Sequence, residues 1–212
     1  MSLKINREGE VVIHAPYKTP LRDIEGFLRE KIDWVEKKLA EHNAIKEENR
    51  AFEEGERFFY LGNTYPLLYV DSHSFKGVRL INGSFIIHRD NKSHAERVFV
   101  EWYKKTAREL FQERVGYYSR LSKLYPTGIK VTSGVYRYGS CSSSDSISLS
   151  WRLIMAPLYI IDYVIVHELC HIKEKNHSHR FWDLVETIIP DYRGCKRWLK
   201  DNRHLLLYGT SP

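Results

Sequence analysis

Residues 167–177 read His-Glu-Leu-Cys-His-Ile-Lys-Glu-Lys-Asn-His, an HExxH motif followed by a third histidine. On an α-helix, His167 and His171 project from the same face about one turn apart, so their imidazoles can bind a single metal ion. Glu168 lies one step round the helix, near the metal without binding it. Because bound zinc polarises a water molecule and such a glutamate takes its proton, the motif predicts Zn2+ on the two histidines and Glu168 as the catalytic base.

The sequence on both sides of the motif indicates a largely buried helix. Pro157 suits a first helical turn. Apolar residues then recur at steps of three and four, as on one face of a helix: Leu158, Ile161, Ile165, Leu169 and Ile172. We expect this helix to end near residues 174–176 and a second helix to run from about His179 to Ile189, with Asn176 or Ser178 as its N-cap.

A third metal ligand is expected close to the motif, since catalytic zinc usually has three protein ligands and one open position. His177 follows His171 in the turn after the helix and is the predicted third ligand. Three carboxylates compete with it or could support it. Glu174 could reach the same helix face, whereas Asp183 or Glu186 would better suit orienting a ligand imidazole through its other ring nitrogen.

Upstream of the motif, strand and helix signals alternate and predict an α+β fold. Strands are expected at Glu10 to Ala15, three times between Arg57 and His88, at Ile129 to Ser133 and at Ser146 to Trp151, and helices at Pro20 to Ala44 and Ser93 to Leu124. The turn dipeptides Gly62-Asn63 and Asn82-Gly83 predict hairpins. A seam between Arg89 and Ser93 would separate an N-terminal strand, helix and hairpin region, residues 1–90, from a catalytic core, residues 91–212, unless the two form one continuous domain.

Length and composition favour a soluble protein of the cytoplasm. With 42% hydrophobic residues in 212, the chain can form a substantial core. The polar N-terminus lacks the apolar segment of a signal peptide, and the most apolar run, Leu158 to Val166, is too short to span a membrane. Three scattered cysteines suit a reducing compartment.

The net charge of +6 is moderate, and the basic segment from Asp191 to Arg203 could contact phosphate or simply end a helix.

Short motifs in the second half of the chain follow one another in a recognisable order. They are Arg137-Tyr138-Gly139-Ser140-Cys141, Ile147 to Leu153, Ala156-Pro157, Asp162 to His171, and Asn176-His177-Ser178 with Phe181-Trp182. This order resembles the YgjP-like metallopeptidase family of bacteria and archaea, which is related to the SprT-like proteases and the small gluzincins. The resemblance covers roughly residues 10–205. The chain has Tyr138 and Ser150 where the family pattern usually has Trp and Asn, which could alter the shape of the substrate site.

The resemblance implies a zincin-like metallopeptidase core, in which the HExxH helix packs on a small mixed sheet, preceded by an N-terminal β-hairpin and helix region. It also implies zinc on the three histidines, Glu168 as general base and a cleft bordered by the Gly-Ser-Cys strand. In zincins such an edge strand can hold an extended peptide by main-chain pairing. The candidate substrate-binding residues, some of them as donors to an oxyanion, are Arg137, Tyr138, Ser140 and Arg152. Tyr138 could instead be a packing residue, and Arg152 could form an ion pair.

Three classes of function remain open. The first is a zinc hydrolase that cleaves peptide bonds in a cytosolic protein or peptide. The second is a zinc-dependent nucleoside triphosphate pyrophosphatase, since activated water can also attack phosphorus and arginines near the site could hold phosphate. The third is a DNA-associated SprT-like protease or nucleic-acid-binding module, which the lack of a separate zinc finger or basic tail disfavours. No membrane partner is expected.

Overall fold

The computed structural model describes residues 1–6, 10–36, 39, 51–71, 75, 77–135 and 137–206. These residues form a mixed α+β fold in which helices pack on small mixed sheets, which confirms the predicted fold class. The chain divides into two compact units, and the second begins at Ala51. None of the helices in these ranges is both long and apolar enough to cross a membrane.

The first unit contains two strands and a helix, namely β1 (Ser2–Ile5), β2 (Val11–His14) and α1 (Leu21–Glu30). The two strands pair antiparallel. The sequence predicted β2 and the start of α1 after Pro20, but it gave no indication of β1. Lys31 interrupts the helix before a further helical segment at residues 32–36, and the predicted end near Ala44 lies outside the described residues.

The second unit opens with a four-stranded sheet in the order β3-β4-β6-β5. Its strands are β3 (Arg57–Tyr60), β4 (Asn63–Val70), β5 (Val78–Ile81) and β6 (Ser84–His88). Both predicted hairpins are present. Asn82 and Gly83 have positive φ angles of 48° and 74°, as a two-residue hairpin turn requires. In the first hairpin the turn residues are Leu61 and Gly62, one position earlier than predicted, because Asn63 already belongs to β4.

Helix α2 (Ala95–Ser122) packs on this sheet and shares its core. The ring of Phe99 lies 4.5 Å from that of Phe58 on β3 and 5.0 Å from that of Phe85 on β6, and all three are fully buried. On the same helix, the Tyr103 hydroxyl donates a hydrogen bond to the carbonyl of Phe59 at 2.7 Å. Stacked and edge-on aromatic contacts of this kind contribute stability beyond that of the apolar area they bury. The sheet and the helix therefore form one packed body.

The boundary predicted between residues 90 and 91 falls within the second unit. A 3₁₀ helix at Arg89–His94 leads directly into α2, with His94 rather than the predicted Ser93 at the N-cap. The two compact units divide near residue 51, not near residue 90. One aromatic core joins the four-stranded sheet to α2, so both belong to the second unit. A functional division into residues 1–90 and 91–212 stays a prediction.

A three-stranded sheet follows, in the order β7-β9-β8. Its strands are β7 (Gly128–Thr132), β8 (Gly139–Cys141) and β9 (Ser146–Ser150). The strands predicted near Ile129 to Ser133 and Ser146 to Trp151 correspond to β7 and β9. β7 runs parallel and β8 antiparallel to β9. Within the described part of the chain β8 pairs with β9 alone, so it forms an edge of the sheet.

Three helices complete the second unit, namely α3 (Leu158–Lys173), α4 (His179–Ile188) and α5 (Tyr192–Asp201). α3 is the HExxH helix, and it and α4 lie close to their predicted bounds. α3 begins directly after Pro157, a residue that suits a helix start because its missing amide has no partner there. Ten of the 16 residues of α3 are buried, which makes it a central helix of the unit.

The first hairpin of the four-stranded sheet supports the start of α3. The backbone amides of Leu61 and Gly62 donate to the carbonyls of Ile154 and Met155, at 2.9 and 3.0 Å. Both carbonyls belong to a 3₁₀ helix that leads into α3. A Cβ atom at Gly62 would lie 2.7 Å from Cγ of Pro157, so this close approach requires glycine.

A largely buried ion pair joins α3 to α2. Asp162 on α3 accepts two hydrogen bonds from Arg114 on α2, from Nε at 2.6 Å and from Nη2 at 2.7 Å. The guanidinium also lies over the rings of Tyr117 and Tyr118, 5.0 and 5.3 Å from their centres. Hydrogen bonding to Asp162 raises the pKa of Arg114, so the arginine stays charged in the pair.

Replacing Asp162 with alanine is expected to lower the free energy of unfolding by about 3 kcal/mol, since removing one partner of a buried pair leaves the other charge uncompensated. Chemical denaturation of the metal-free protein measures this loss. Asp71→Ala is the matched control, because both partners of the Asp71–Arg89 pair are largely exposed and such pairs contribute little. Equal losses of stability in the two variants would contradict the role given to the buried pair.

Candidate metal centre

Three histidines converge at the C-terminal half of α3. His167 and His171 lie one turn apart on the helix, and His177 reaches them from the loop between α3 and α4. Their candidate ligand atoms all lie within 4.8 Å of one another, and Nε2 of His177 is 3.1 Å from Nε2 of His167. Nitrogens that bind one zinc ion tetrahedrally would be about 3.3 Å apart. The three predicted ligands are therefore close enough together to hold one metal ion.

Two aromatic side chains of α4, Phe181 and Trp182, pack against the histidines. The buried ring of Phe181 lies 4.9, 4.4 and 4.9 Å from the rings of His167, His171 and His177. Trp182 stacks on His177, with 5.6 Å between ring centres and 23° between ring planes. This packing restricts the rotation of the three imidazoles, so they are positioned by the fold itself.

The loop that carries His177 is shaped by a local hydrogen bond. Oδ1 of Asn176 accepts from the backbone amide of Ser178 at 3.1 Å, a turn that asparagine favours. Ser178 stands at the N-cap of α4, but its side chain makes no capping hydrogen bond. Of the two cap residues predicted from the sequence, Ser178 therefore supplies the position and Asn176 the local hydrogen bond.

A backbone carbonyl orients one of the ligand rings. Nδ1 of His171 lies 3.0 Å from the carbonyl oxygen of Glu174. Since a carbonyl only accepts, Nδ1 carries the proton, and Nε2 keeps a lone pair for a metal. The sequence suggested Asp183 or Glu186 for such a role, but these residues pair with His179 at 2.8 Å and Arg193 at 2.7 Å instead.

Two of the histidines are held in the form that binds metals. Burial, with smaller contributions from the neighbouring His171 and His177, lowers the pKa of His167 to about 3. Partial burial of its ring lowers the pKa of His177 as well. A neutral imidazole is the form that a metal ligand requires. The donor set thus fits a divalent metal such as zinc in both spacing and protonation.

Glu168 lies beside the triad and is almost fully buried, with 5% of its surface exposed. Its burial raises the pKa of the carboxyl group to about 7, a value suited to a base that works near neutral pH. Gly139 on β8 packs directly against this side chain. A Cβ atom at that position would lie 2.6 Å from Oε1 and 2.7 Å from Cγ of Glu168, so the main chain of the edge strand borders the predicted base.

Comparison with known proteins identifies the family. A family model described as a YgjP-like metallopeptidase domain matches residues 1–202. The chain belongs to the YgjP-like family. Membership supports a hydrolase with a metal cofactor that acts on protein or peptide, and it confirms the resemblance seen in the motifs. No match was found among curated proteins or among solved structures.

In this YgjP-like chain, β8 brings two of the four substrate-binding candidates next to the predicted base. Tyr138 and Ser140 flank Gly139, and both side chains are half-buried. The backbone carbonyl of Tyr138 accepts from the amide of Ser150 at 2.8 Å, which extends the pairing with β9 by one step. Contact between these side chains and a substrate stays a prediction.

The two arginine candidates lie in different surroundings. Arg137 is exposed just before β8. Arg152 is buried, its Nη1 donates to the carbonyl of Ser133 at 2.9 Å, and its guanidinium lies 4.4 Å from the ring centre of Trp151. Burial lowers the pKa of Arg152 to about 10. These contacts support a structural role for Arg152, and substrate binding by either arginine stays a prediction.

Sequence reasoning missed the packing partners of the YgjP-like site. Phe181 and Trp182 belong to a motif that carried the resemblance, but their contact with the histidines was not predicted. Their place in the first turn of the predicted helix, directly after His177, was an available signal. Lys196 on α5, whose Nζ lies 4.2 Å from the ring centre of Trp182, gave no such signal because it comes from another helix.

Proposed function

We propose that the protein is a zinc-dependent metallopeptidase. His167, His171 and His177 would hold the metal and leave one position open, and Glu168 would serve as general base. The observation that carries this proposal is the convergence of three imidazoles within 4.8 Å beside a buried carboxyl group. Membership of a metallopeptidase-domain family supports it independently.

The protein groups divide the chemistry between them. A bound zinc ion would supply the polarisation that makes water a nucleophile near neutral pH. Glu168 takes a proton from that water on its carboxylate and returns it to the leaving amine. The carbonyl of Glu174 keeps the ring of His171 in one tautomer, and the packing of Gly139 on Glu168 fixes where the proton is accepted.

The edge strand β8 favours a peptide as substrate. It pairs with β9 through Gly139, Ser140 and Cys141, and within the described residues its other side has no strand partner. An extended peptide could pair there by main-chain hydrogen bonds and so lie beside Glu168. Because such pairing requires main-chain amide and carbonyl groups on the substrate, it suits a peptide better than a nucleotide.

The two alternative functions lack support of this kind. In a nucleoside triphosphate pyrophosphatase an arginine would hold phosphate; Arg152 is engaged with Ser133 and Trp151, so of the two candidates this role would fall to the exposed Arg137. In a DNA-associated protein the basic segment that forms α5 would contact nucleic acid, but Arg193 there pairs with Glu186, and Lys196 lies over Trp182 beside the histidines. We therefore propose protein or peptide as the substrate and the cytoplasm as the location, in keeping with three unpaired cysteines, Cys141, Cys170 and Cys195.

Metal analysis coupled to a substrate screen tests the proposal. We expect one zinc per chain, cleavage of casein or of members of a peptide library, and loss of cleavage when a chelator removes the metal. Nucleoside triphosphates and DNA serve as comparison substrates in the same buffer. If peptides stay intact while triphosphates release pyrophosphate in a metal-dependent manner, the pyrophosphatase alternative replaces the peptidase.

Replacing Gly139 with alanine is expected to lower kcat about 100-fold without loss of zinc. The added methyl group would overlap the carboxyl group of Glu168 and displace it, and a shift of about 1 Å at a catalytic group costs roughly that factor. Gly128→Ala on β7 is the matched control, since its Cβ would meet only Ser146 Oγ, at 3.6 Å. Steady-state kinetics and zinc content are measured for both, and wild-type kcat in Gly139→Ala would show that the contact does not position the base.

A further inference from the structure

A lysine side chain lies one aromatic ring away from the metal centre. Lys196 is one turn after Tyr192 on α5, and its Nζ lies 4.2 Å from the ring centre of Trp182. Trp182 in turn stacks on His177 at 5.6 Å and lies 5.7 Å from His167. Tyr192 stacks on the same indole at 5.1 Å, with 16° between the planes. The indole thus connects the lysine to two of the three predicted ligands.

The ammonium group of Lys196 has no ion-pair partner among the residues that the structure describes. The acidic groups of α4 have other partners, since Asp183 pairs with His179 and Glu186 with Arg193. Asp191, at the start of α5, accepts from the amide of Gly194 at 3.2 Å. Lys196 is exposed, so its charge is available to a molecule that enters from solvent.

The ammonium group of Lys196 lies close to the metal centre, because the indole of Trp182 that it covers also contacts the rings of His177 and His167. A cation held here repels a divalent ion, so it does not serve metal binding. From its position the ammonium group can attract an anionic group on a molecule that approaches the centre. The cation–π contact with the indole of Trp182 keeps the lysine side chain ordered.

We propose that Lys196 is a specificity-determining residue that binds a carboxylate of the peptide substrate near the scissile bond. The inference rests on the proposed peptidase function and adds a substrate class to it. The carboxylate belongs either to an acidic side chain or to the C-terminus of the peptide, and both would meet the same ammonium group. An exposed pair of this kind is worth up to about fivefold in kcat/KM.

Matched peptides test the inference. Four versions of one cleaved peptide are made. The residue next to the scissile bond is glutamate or glutamine, and for each of these the C-terminus is either free or amidated. The wild type is expected to cleave the form that carries one of these carboxylates with a kcat/KM up to about fivefold higher than that of the matched form without it. Lys196→Met removes the charge but keeps an apolar stem over Trp182, so it should abolish the preference, measured as the ratio of kcat/KM between the charged and the neutral peptide. Lys196→Arg keeps the positive charge and should therefore keep the preference. Lys200→Met removes a charge elsewhere on the same helix and should also keep it.

A measurement of metal affinity gives a readout that does not depend on activity. Because the ammonium group repels a cation, Lys196→Met should bind zinc severalfold more tightly than the wild type in competition with a chelator, and Lys200→Met should not. If the wild type cleaves all four peptides equally, or if Lys196→Met keeps the preference, the inference is overturned and the peptidase function stands. If no peptide is cleaved, the proposed function fails. The inference, which names the substrate class of that function, then falls with it.

Discussion

Glu168→Gln is expected to lower kcat for peptide cleavage about 1000-fold while zinc content stays at the wild-type level. Glutamine has nearly the volume of glutamate, so it fits the buried space against Gly139. Its amide cannot accept the proton that a general base must take. Because Glu168 is not one of the three predicted ligands, the metal should remain bound. Steady-state kinetics and metal analysis on the same preparation measure both quantities.

Glu174→Gln is the matched control for this prediction. Glu174 is a half-buried glutamate just after the same helix, and its observed contact with His171 is made by its backbone carbonyl. The substitution should therefore leave kcat close to the wild-type value. Near-normal activity in Glu168→Gln would remove it as the base, whereas loss of zinc from that variant would make it a ligand.

The stability of the metal-free protein provides a pH test of the same residue. Burial raises the pKa of Glu168 from 4.5 to about 7, so the folded state holds this proton more tightly than the unfolded state does. The resulting stabilisation is complete below about pH 4.5 and is lost as the pH rises through about 7. In the presence of chelator, Glu168→Gln should thus exceed the wild type in stability at pH 8 by about 3 kcal/mol, and the difference should close at pH 4.5.

His177→Ala is expected to weaken zinc binding by well over 100-fold. The loss of a residue that merely orients a ligand costs 10–100-fold in typical sites, and removing a ligand should cost more. His177 is exposed in the loop before α4, so the variant should fold normally. Competition with a chelator measures the zinc dissociation constant, and denaturation of the metal-free variant checks the fold.

His179→Ala separates a ligand from a neighbouring histidine. His179 is exposed and pairs with Asp183 at 2.8 Å, and it lies outside the group of three histidines that could share one ion. Its replacement should leave zinc affinity unchanged. If His179→Ala loses zinc and His177→Ala retains it, the assignment of the third ligand is wrong.

Features of local spacing were predictable from the sequence. The step of four between His167 and His171 fixes their common face on any helix, and Asn82-Gly83 specifies a tight hairpin by itself. Both signals depend on neighbouring residues only, so they can be interpreted without knowledge of the tertiary structure. The same reasoning explains why α3 and α4 were placed close to their observed bounds.

Contacts between distant segments were not predictable in this way. Gly139 and Glu168 meet because β8 packs beside α3, and Lys196 meets Trp182 because α5 folds back on α4. The predicted seam between Arg89 and Ser93 falls where the predicted hairpin strands end and the long helix begins. It lies inside a compact unit because aromatic rings from both sides of it share one core.

None of the predicted metal ligands comes from the four-stranded sheet, yet that sheet holds the end of the helix that carries two of them. The amides of Leu61 and Gly62 anchor the segment just before α3, and Gly62 leaves room for Pro157. A fragment that starts at residue 91 would keep every ligand and lose this anchor. We therefore expect a fragment that starts at about Ala51 to present the histidines to a metal better than one that starts at residue 91, and we expect insertions in the first hairpin to disturb the start of the helix that carries two of the ligands.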